Sequence, residues 1–162
     1  MFREMRRKKQ LLSNSESIEI LTQATSGVLG LSGDDEYPYS VPMSYVFDRN
    51  KIYFHSAKCG HKIDAVKKCH KASFCVIAQD NIVPEKYTTY YKSVIVFGTI
   101  RILETENEIK NAIEKLTVKY HPQASKEGRD QTIMHEWKSL CMLEMTIEHI
   151  TGKAAIEIVK KQ

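Results

Sequence analysis

Three β-branched and aromatic segments follow one another early in the chain, joined only by short polar turns. The segments are 28–32, 40–47 and 51–56, and the turns are 33–35 (Gly-Asp-Asp) and 48–50 (Asp-Arg-Asn). Turns this short connect antiparallel neighbours, whereas parallel strands need a long crossover between them. The sequence therefore predicts an antiparallel meander rather than repeated β-α-β units.

More segments rich in Val, Ile and Phe extend this sheet. We expect a loop at 84–87 and a break at Thr151-Gly152, which leaves strands at 72–78, 93–103, 140–147 and 154–159. Six or seven largely antiparallel strands with interposed helices predict a mostly β fold, a closed or nearly closed barrel. A small barrel fills its interior with side chains, so a ligand is expected outside it, at a mouth, or between subunits.

Two capping boxes predict helix starts, one at Ser13 with Glu16 and one at Thr105 with Glu108. The first helix is expected to end at Gly27, and the second to run over four turns to His121-Pro122. A short amphipathic helix is predicted from Gly60. A polar stretch through 129–130 follows the second capping-box helix, and no element is predicted there.

The chain has 162 residues, which fits one domain over 1–162 with a basic arm at 1–12. No segment approaches the ~20 apolar residues of a membrane span or resembles a secretory signal, so we expect a cytoplasmic protein. Residues 1–9 hold five basic residues against Glu4, which accounts for the whole net charge of +4. A solvated terminus is the favoured interpretation of this arm, and a nucleic-acid contact is the minor one.

Two Cys-His pairs resemble half-sites for zinc, Cys59 with His61 and Cys69 with His70. A helix between them would separate the two cysteines by about 15 Å, whereas both ligands of one zinc lie within ~2.3 Å of it. We therefore predict no metal site. The other cysteines, 75 and 141, are interpreted as small apolar strand residues, with reduced thiols.

The end of the third strand and the start of the next helix carry a candidate anion site. Ser56 ends the strand, Gly60 precedes the helix, and Lys58, His61 and Lys62 surround its start. Free amide donors, a hydroxyl and two lysines together suit a phosphate. The alternative, that the lysines only solvate a helix start, stays open on physical grounds.

The same segment carries a family resemblance. Residues 53–64 read Tyr-Phe-His-Ser-Ala-Lys-Cys-Gly-His-Lys-Ile-Asp. This resembles the signature of the split-barrel flavoproteins related to pyridoxamine 5′-phosphate oxidase, in particular the nitroimidazole-resistance (Nim) branch. Residues 41–45 resemble the family's preceding flavin-lining strand and 89–98 its later strand, so the resemblance covers roughly 1–120.

The resemblance implies an FMN-binding split β-barrel that works as a homodimer, with the flavin between the subunits. Lys62 would contact the phosphate with Ser56 and Ala57 beside it, and the ring and ribityl chain would be lined by Pro42, Met43, Ser44 and His55. The partner subunit would contribute Tyr91, Ser93 and Val94. A ring-packing role for Trp137 is implied more weakly, since a core or rim position suits it equally well.

His55 is the candidate catalytic residue, as the donor of a proton or hydrogen bond to a bound acceptor. The alternative is a histidine at the end of a strand that hydrogen-bonds a backbone group.

Two departures from the family matter. The end, Glu157 to Gln162, lacks the arginines that grip pyridoxal in the oxidases, and His61 replaces a frequent arginine.

These features favour a flavin-dependent reductase of small acceptors, with nitroaromatic compounds as one candidate class, using a nicotinamide or protein electron donor. The alternatives are a non-catalytic flavin carrier or sensor and, third, a nucleic-acid-binding barrel.

Overall fold

A computed structural model describes residues 1–159, and in that part of the chain seven strands form a single sheet. Every pair of neighbouring strands is antiparallel, and the sheet order is β2-β1-β5-β6-β7-β4-β3. The prediction of a mostly β, antiparallel fold is confirmed. The strands are β1 Ser26–Ser32, β2 Pro38–Ser44, β3 Val46–Asp48, β4 Lys51–Ala57, β5 Lys71–Val83, β6 Thr88–Ile102 and β7 Leu140–Ala154.

The two edges of this sheet, β2 and β3, are consecutive in the chain and separated only by Tyr45. The sheet must therefore curl until its edges approach each other, as a barrel does. The expected single strand at 40–47 is broken here because Tyr45 bonds elsewhere. Its backbone N–H donates to Tyr120 Oη (2.9 Å), and its hydroxyl donates to the Leu21 carbonyl (2.8 Å).

Five α-helices occur in the described residues: α1 Asn14–Gln23, α2 His61–Lys68, α3 Glu106–Tyr120, α4 Lys126–Glu136 and the short α5 Ile156–Val159. Both capping boxes are confirmed, at the starts of α1 and α3. Helix α1 ends before the expected Gly27, which lies in β1, where a Cβ would come within 2.5 Å of the Phe74 ring. Close packing, not helix termination, accounts for that glycine.

Helix α4 was not expected from the polar sequence around 129–130. Ser125 starts it by accepting a hydrogen bond from the Gly128 N–H (3.1 Å), and Ile133 is its one buried residue. A helix with so little buried apolar surface has only a weak periodic pattern.

Strand β7 is continuous from Leu140 to Ala154, so the expected break at Thr151-Gly152 is wrong. Those two residues pair with Ile95 and Val94 of β6. The predicted strand at 154–159 is also wrong, because α5 begins at Ile156.

Strand β4 lies between two apolar clusters. Ile52 and Phe54 belong to the barrel core, whereas Tyr53 packs with Ile113 and Ile133 against α3 and α4. The alternation of side chains along a strand accounts for this division. Each residue of β4 therefore faces either the barrel or the helices, which decides what each candidate site residue can reach.

The N-terminal arm packs on β7 instead of extending into solvent as expected. The Leu12 N–H donates to the Gly152 carbonyl (3.0 Å), Leu11 bridges to Lys153, and Phe2 stacks on His149 with ring centres 4.6 Å apart. The arm covers a part of β7 that β4 leaves unpaired. Its charged side chains stay exposed.

No helix in residues 1–159 is long and apolar enough to cross a bilayer.

Candidate functional site

Lys62 lies in the first turn of α2, directly after the end of β4. Gly60 makes the entry to this helix with φ 112° and ψ 170°, a conformation that side chains other than glycine rarely adopt. The Lys62 ammonium reaches back to β2, where its Nζ lies 3.4 Å from Met43 Sδ. Two residues predicted for the site, Lys62 and Met43, are therefore in contact.

Within the described part of the chain, the charge of Lys62 has no counter-ion. Among residues 1–159 no carboxylate lies within ion-pair distance of its Nζ. Partial burial of the ammonium lowers the pKa of Lys62 below its ordinary value. An under-solvated cation of this kind favours an anionic ligand.

Cys141 is buried next to this lysine. Burial raises the pKa of the Cys141 thiol, while Lys58, Lys62 and Lys67 oppose that rise. Lys58 and Lys67 therefore lie near enough to Cys141 to act on its thiol together with Lys62. Ser56 pairs with Cys141 across the β4–β7 ladder and shares its face. We call Met43, Ser56, Lys62 and Cys141 the lysine pocket.

The start of α2 adds backbone donors to the lysine pocket. The N–H groups of Ile63 and Asp64 donate to the Gly60 carbonyl (2.9 and 3.1 Å), whereas no side chain caps the helix. The preceding N–H groups, of His61 and Lys62, are left for a ligand or water, as at any uncapped helix start.

His61 does not add a second cation beside Lys62. Its ring stacks on Tyr39 with centres 4.0 Å apart, and its Nε2 lies 3.6 Å from an Asp34 carboxylate oxygen. The imidazole is therefore held toward the β1–β2 turn.

His55 faces away from the lysine pocket, because adjacent residues of β4 point to opposite sides. It is exposed, and it lines a cleft of about 400 Å³ between β4 and helices α3 and α4. Ser56 and Ala57, at the end of the strand, line the cleft as well. The cleft and the lysine pocket therefore meet at Ser56. The other residues of the cleft are Ile113, Thr117, Thr132, Ile133, Glu136, Ser139 and Leu140. Four of these seven, Thr132, Ile133, Glu136 and Ser139, belong to α4 or follow it directly, and the sequence did not predict that helix.

On β2 the predicted residues also alternate. Pro42 and Ser44 are exposed on the outer face of the sheet, whereas Met43 is 7% exposed and points to Lys62. Only Met43 among these three therefore reaches the lysine pocket with its side chain.

Tyr91, Ser93 and Val94 lie on β6, three strands from Met43 in the sheet, since Met43 pairs with Gly27, Val28 with Cys75, and Cys75 with Ile95. At about 4.8 Å per strand this is roughly 15 Å. Tyr91 and Ser93 alternate along β6 with Val94, which faces the barrel core as Met43 does, so their side chains point to the outer face of the sheet. The Val94 side chain is fully buried in the barrel core, so the prediction that Val94 contacts a ligand can hold only for its backbone.

Trp137 follows α4 and is half-buried against the helix-side apolar cluster. It lines a recess with Lys110 and Met134 on α3 and α4, not the cleft that contains His55. Within one chain, its position is that of a rim residue.

The predicted helix between the two Cys-His pairs is present as α2. In residues 1–159 there is no group of three or more His, Cys, Asp or Glu side chains that could hold a metal ion. The absence of zinc remains a prediction for elemental analysis.

A family profile described as pyridoxamine 5′-phosphate oxidase matches residues 13–154, most of the chain. The chain belongs to the pyridoxamine 5′-phosphate oxidase family. The family-level resemblance drawn from the sequence is therefore confirmed. Comparison with curated protein sequences gave no match.

Solved structures of similar fold include a candidate 5-nitroimidazole antibiotic resistance protein from Bacteroides thetaiotaomicron. It has 18% identity and a TM-score of 0.75, over 89% of this chain and 86% of that one. A flavocytochrome from Azotobacter vinelandii has 13% identity and a TM-score of 0.75, over 94% and 72% of the two chains. An FAD-binding protein from Mesorhizobium loti has 20% identity and a TM-score of 0.64, over 90% and 95%. Identities this low show a shared fold.

Proposed function

We propose that this protein binds FMN and acts as a flavin-dependent reductase of small acceptors, with nitroaromatic compounds as the first class to test. The observation that carries the proposal is the unpaired, partly buried ammonium of Lys62 beside free backbone donors at the start of α2. A terminal phosphate suits this set of donors because it brings the missing negative charge and accepts several hydrogen bonds.

The donor set fits the phosphate end of a flavin nucleotide. Lys62 and Ser56 would hold the phosphate, and Ala57 would lie beside it at the end of β4. Of the residues predicted to line the ring and ribityl chain, Met43 has its side chain at the lysine pocket. Pro42 and Ser44 would contact the flavin from the outer face of β2, and His55 from the cleft. A bound flavin supplies electron-transfer chemistry that amino-acid side chains do not, while the protein binds and orients it.

Several structural neighbours support a flavin ligand by name, among them the flavocytochrome and the FAD-binding protein. The resistance protein from Bacteroides supports nitroaromatic acceptors as the class to test. Vitamin B6 oxidation is not proposed, because residues 157–162 contain none of the arginines that bind the substrate in the oxidases.

A second copy of the chain is part of the proposal, since the side chains of Tyr91 and Ser93 point to the outer face of the sheet, whereas Met43 faces the barrel core. The outer face of the sheet supports such a contact. Val28, Cys75 and Ile95 form a cross-strand row there, and Val28 and Ile95 are 38% and 41% exposed. Apolar side chains grouped on a sheet face are typical of a protein interface.

A non-catalytic flavin carrier or sensor is the second candidate function. It is favoured by one observation: His55 is exposed, and its side chain makes no hydrogen bond to any residue in 1–159. A catalytic donor is more often held in place by a partner.

The deciding experiment has two steps. Purified protein is examined for the two visible flavin bands, and the released cofactor is identified by mass spectrometry, which separates FMN from FAD. Anaerobic reduction by NADPH, followed by addition of a nitroaromatic acceptor, then separates a reductase from a carrier. Colourless protein that also fails to bind added FMN would reject the proposal.

A further inference from the structure

The N-terminal arm forms a basic recess. Arg7 leads into a single 3-10 turn, Lys8–Gln10, and the chain then joins β7 through Leu11. This places four consecutive basic side chains around one open recess of about 590 Å³, which is completed by Gln10 and Ile156; the four are Arg6, Arg7, Lys8 and Lys9.

Most of this charge is uncompensated. Lys8 pairs with Glu4 (2.8 Å), but within residues 1–159 no carboxylate pairs with Arg6, Arg7 or Lys9. The remainder of the chain after Lys9 carries equal numbers of basic and acidic residues. The net positive charge of the protein is therefore concentrated at this recess, where it attracts anions.

Gln10 is an independent sign of a ligand. It is 7% exposed, and its Oε1 has no hydrogen-bond partner in the described part of the chain. A buried amide oxygen without a donor is unfavourable, and buried polar atoms are usually satisfied by protein, water or ligand. Gln10 also lines the recess, so a rotation of its side chain would bring this buried oxygen to an O–H or N–H group of a bound ligand.

A nucleotide carries both kinds of group, since its phosphates are anionic and its ribose hydroxyls and base amino group are donors. The volume of the recess is in the usual range for small-molecule sites, about 300–1,000 Å³. A polynucleotide would need a basic surface extending beyond the arm, and the neutral remainder of this chain does not offer one.

The recess adjoins the residues proposed to contact the partner's flavin. Leu11 bridges to Lys153, and Lys153 Nζ lies 5.5 Å from the centre of the Tyr91 ring. The Ala155 N–H donates to the Tyr91 carbonyl (2.9 Å). A ligand bound at the arm would therefore lie next to Tyr91 on β6.

We propose that the basic recess of the arm binds the phosphates of a nicotinamide dinucleotide, the electron donor of the proposed reductase. Arg6, Arg7 and Lys9 hold the phosphates, and Gln10 accepts a hydrogen bond from a ribose hydroxyl or the base. The assignment of this nucleotide as electron donor rests on the proposed function, but its binding at the arm does not.

Calorimetric titration with NADP⁺ tests the site without any electron transfer. The arm variant replaces Arg6, Arg7 and Lys9 together by Gln. The control replaces three exposed lysines elsewhere, Lys110, Lys126 and Lys138, and so removes the same charge. We expect the arm variant to bind NADP⁺ at least tenfold more weakly than wild type, the control to bind as wild type, and wild-type binding to weaken in 0.5 M salt.

Equal affinity of the arm variant and wild type, or an equal loss in both variants, overturns the proposal. Displacement of NADP⁺ by far lower concentrations of a single-stranded oligonucleotide also overturns it, in favour of nucleic acid. A Gln10→Leu variant, which keeps every charge, should lose several-fold in affinity, and unchanged affinity would remove the proposed hydrogen bond.

A kinetic measurement connects the site to the reductase. Flavin reduction by NADPH should slow at least tenfold in the arm variant, whereas reduction by 1-benzyl-1,4-dihydronicotinamide, which has no phosphate, should not change. Equal slowing with both donors contradicts docking at the arm. If the protein carries no flavin, the proposed function fails, while the NADP⁺ titration still reports on the arm.

Discussion

The ammonium of Lys62 lies against the thioether of Met43, 3.4 Å from nitrogen to sulfur. A thioether is a weak hydrogen-bond acceptor and carries no charge, so it replaces little of the hydration that Lys62 loses on burial. This loss of hydration lowers the pKa of Lys62. A bound phosphate would restore both the charge partner and the strong acceptors.

Replacement of Lys62 by Ala should weaken FMN binding about ten- to hundredfold. The change removes one charge-assisted hydrogen bond, about 1.5–3 kcal/mol. Lys68→Ala is the matched control, since it removes the same charge from an exposed position at the end of the same helix. Fluorescence titration of apoprotein with FMN measures both, and equal dissociation constants for Lys62→Ala and wild type would locate the phosphate elsewhere.

The Gly60→Ala change should destabilise the start of α2. Backbone near φ 112° and ψ 170° costs a residue other than glycine about 1–3 kcal/mol. Gly128→Ala serves as the control, because Gly128 lies in helix α4 without a positive φ. Urea unfolding should show the loss for position 60 alone. FMN affinity should fall with it, and a fully stable Gly60→Ala protein would show that the helix entry can relax.

Local signals in the sequence predicted the elements around the site well. The capping boxes at Ser13 and Thr105 each bring together residues three apart, so tertiary structure has little influence on them. The turn at 48–50 and the helix after Gly60 are equally local.

Long-range packing accounts for what the sequence could not predict. Thr151-Gly152 resembles a turn, yet Gly152 lies inside β7. The residue is a glycine because a Cβ there would come within 2.2 Å of the Ser17 hydroxyl. His55 and Ser56 are adjacent in one motif, but strand alternation directs them to different sides of β4. Helix α4 forms one wall of the cleft, but its sequence has only a weak apolar periodicity, so the sequence did not predict the helix.

Acid should destabilise the protein partly through Glu144, which is 5% exposed. Burial alone would raise the pKa of Glu144, but hydrogen bonds from Lys51 (2.8 Å) and Arg101 (3.0 Å) outweigh it and hold that pKa below its ordinary value. A depressed carboxyl pKa adds stability above the unfolded pKa, about 4.3, and this stability is lost as the pH falls through the folded pKa.

Glu144→Gln should therefore cost about 2 kcal/mol at pH 7, the contribution of hydrogen bonds to a charged group. The difference from wild type should shrink steadily below pH 4. Glu148→Gln is the control, since its ion pair with Lys71 is exposed and such pairs contribute little. Urea unfolding at several pH values measures all three proteins, and a pH-independent difference would assign Glu144 a packing role instead.

The smallest stable form should be a dimer, with a mass near twice 18.7 kDa. Ile95→Lys places a charge at one end of the apolar row on the outer face and should dissociate the dimer. Val118→Lys is the control, because Val118 is similarly exposed, at 48%, but lies on α3. Sedimentation measures each form, and a wild-type monomer that retains tightly bound FMN would contradict the shared site.

His55→Ala should slow turnover more than it weakens cofactor binding. From its position in the cleft, the imidazole could donate a proton or hydrogen bond to a bound acceptor, a contribution of about a hundredfold or more for general acids. Lys62→Ala should behave in the opposite way, with lower FMN affinity but nearly normal reactivity of the flavin that remains. His121→Ala, a change at an exposed histidine beyond α3, controls for loss of an imidazole.

Stopped-flow reoxidation of pre-reduced protein by a nitroaromatic compound separates these effects. Wild-type rates in His55→Ala would make His55 a surface residue of the cleft and would favour the carrier function, since no other candidate donor was identified from the sequence.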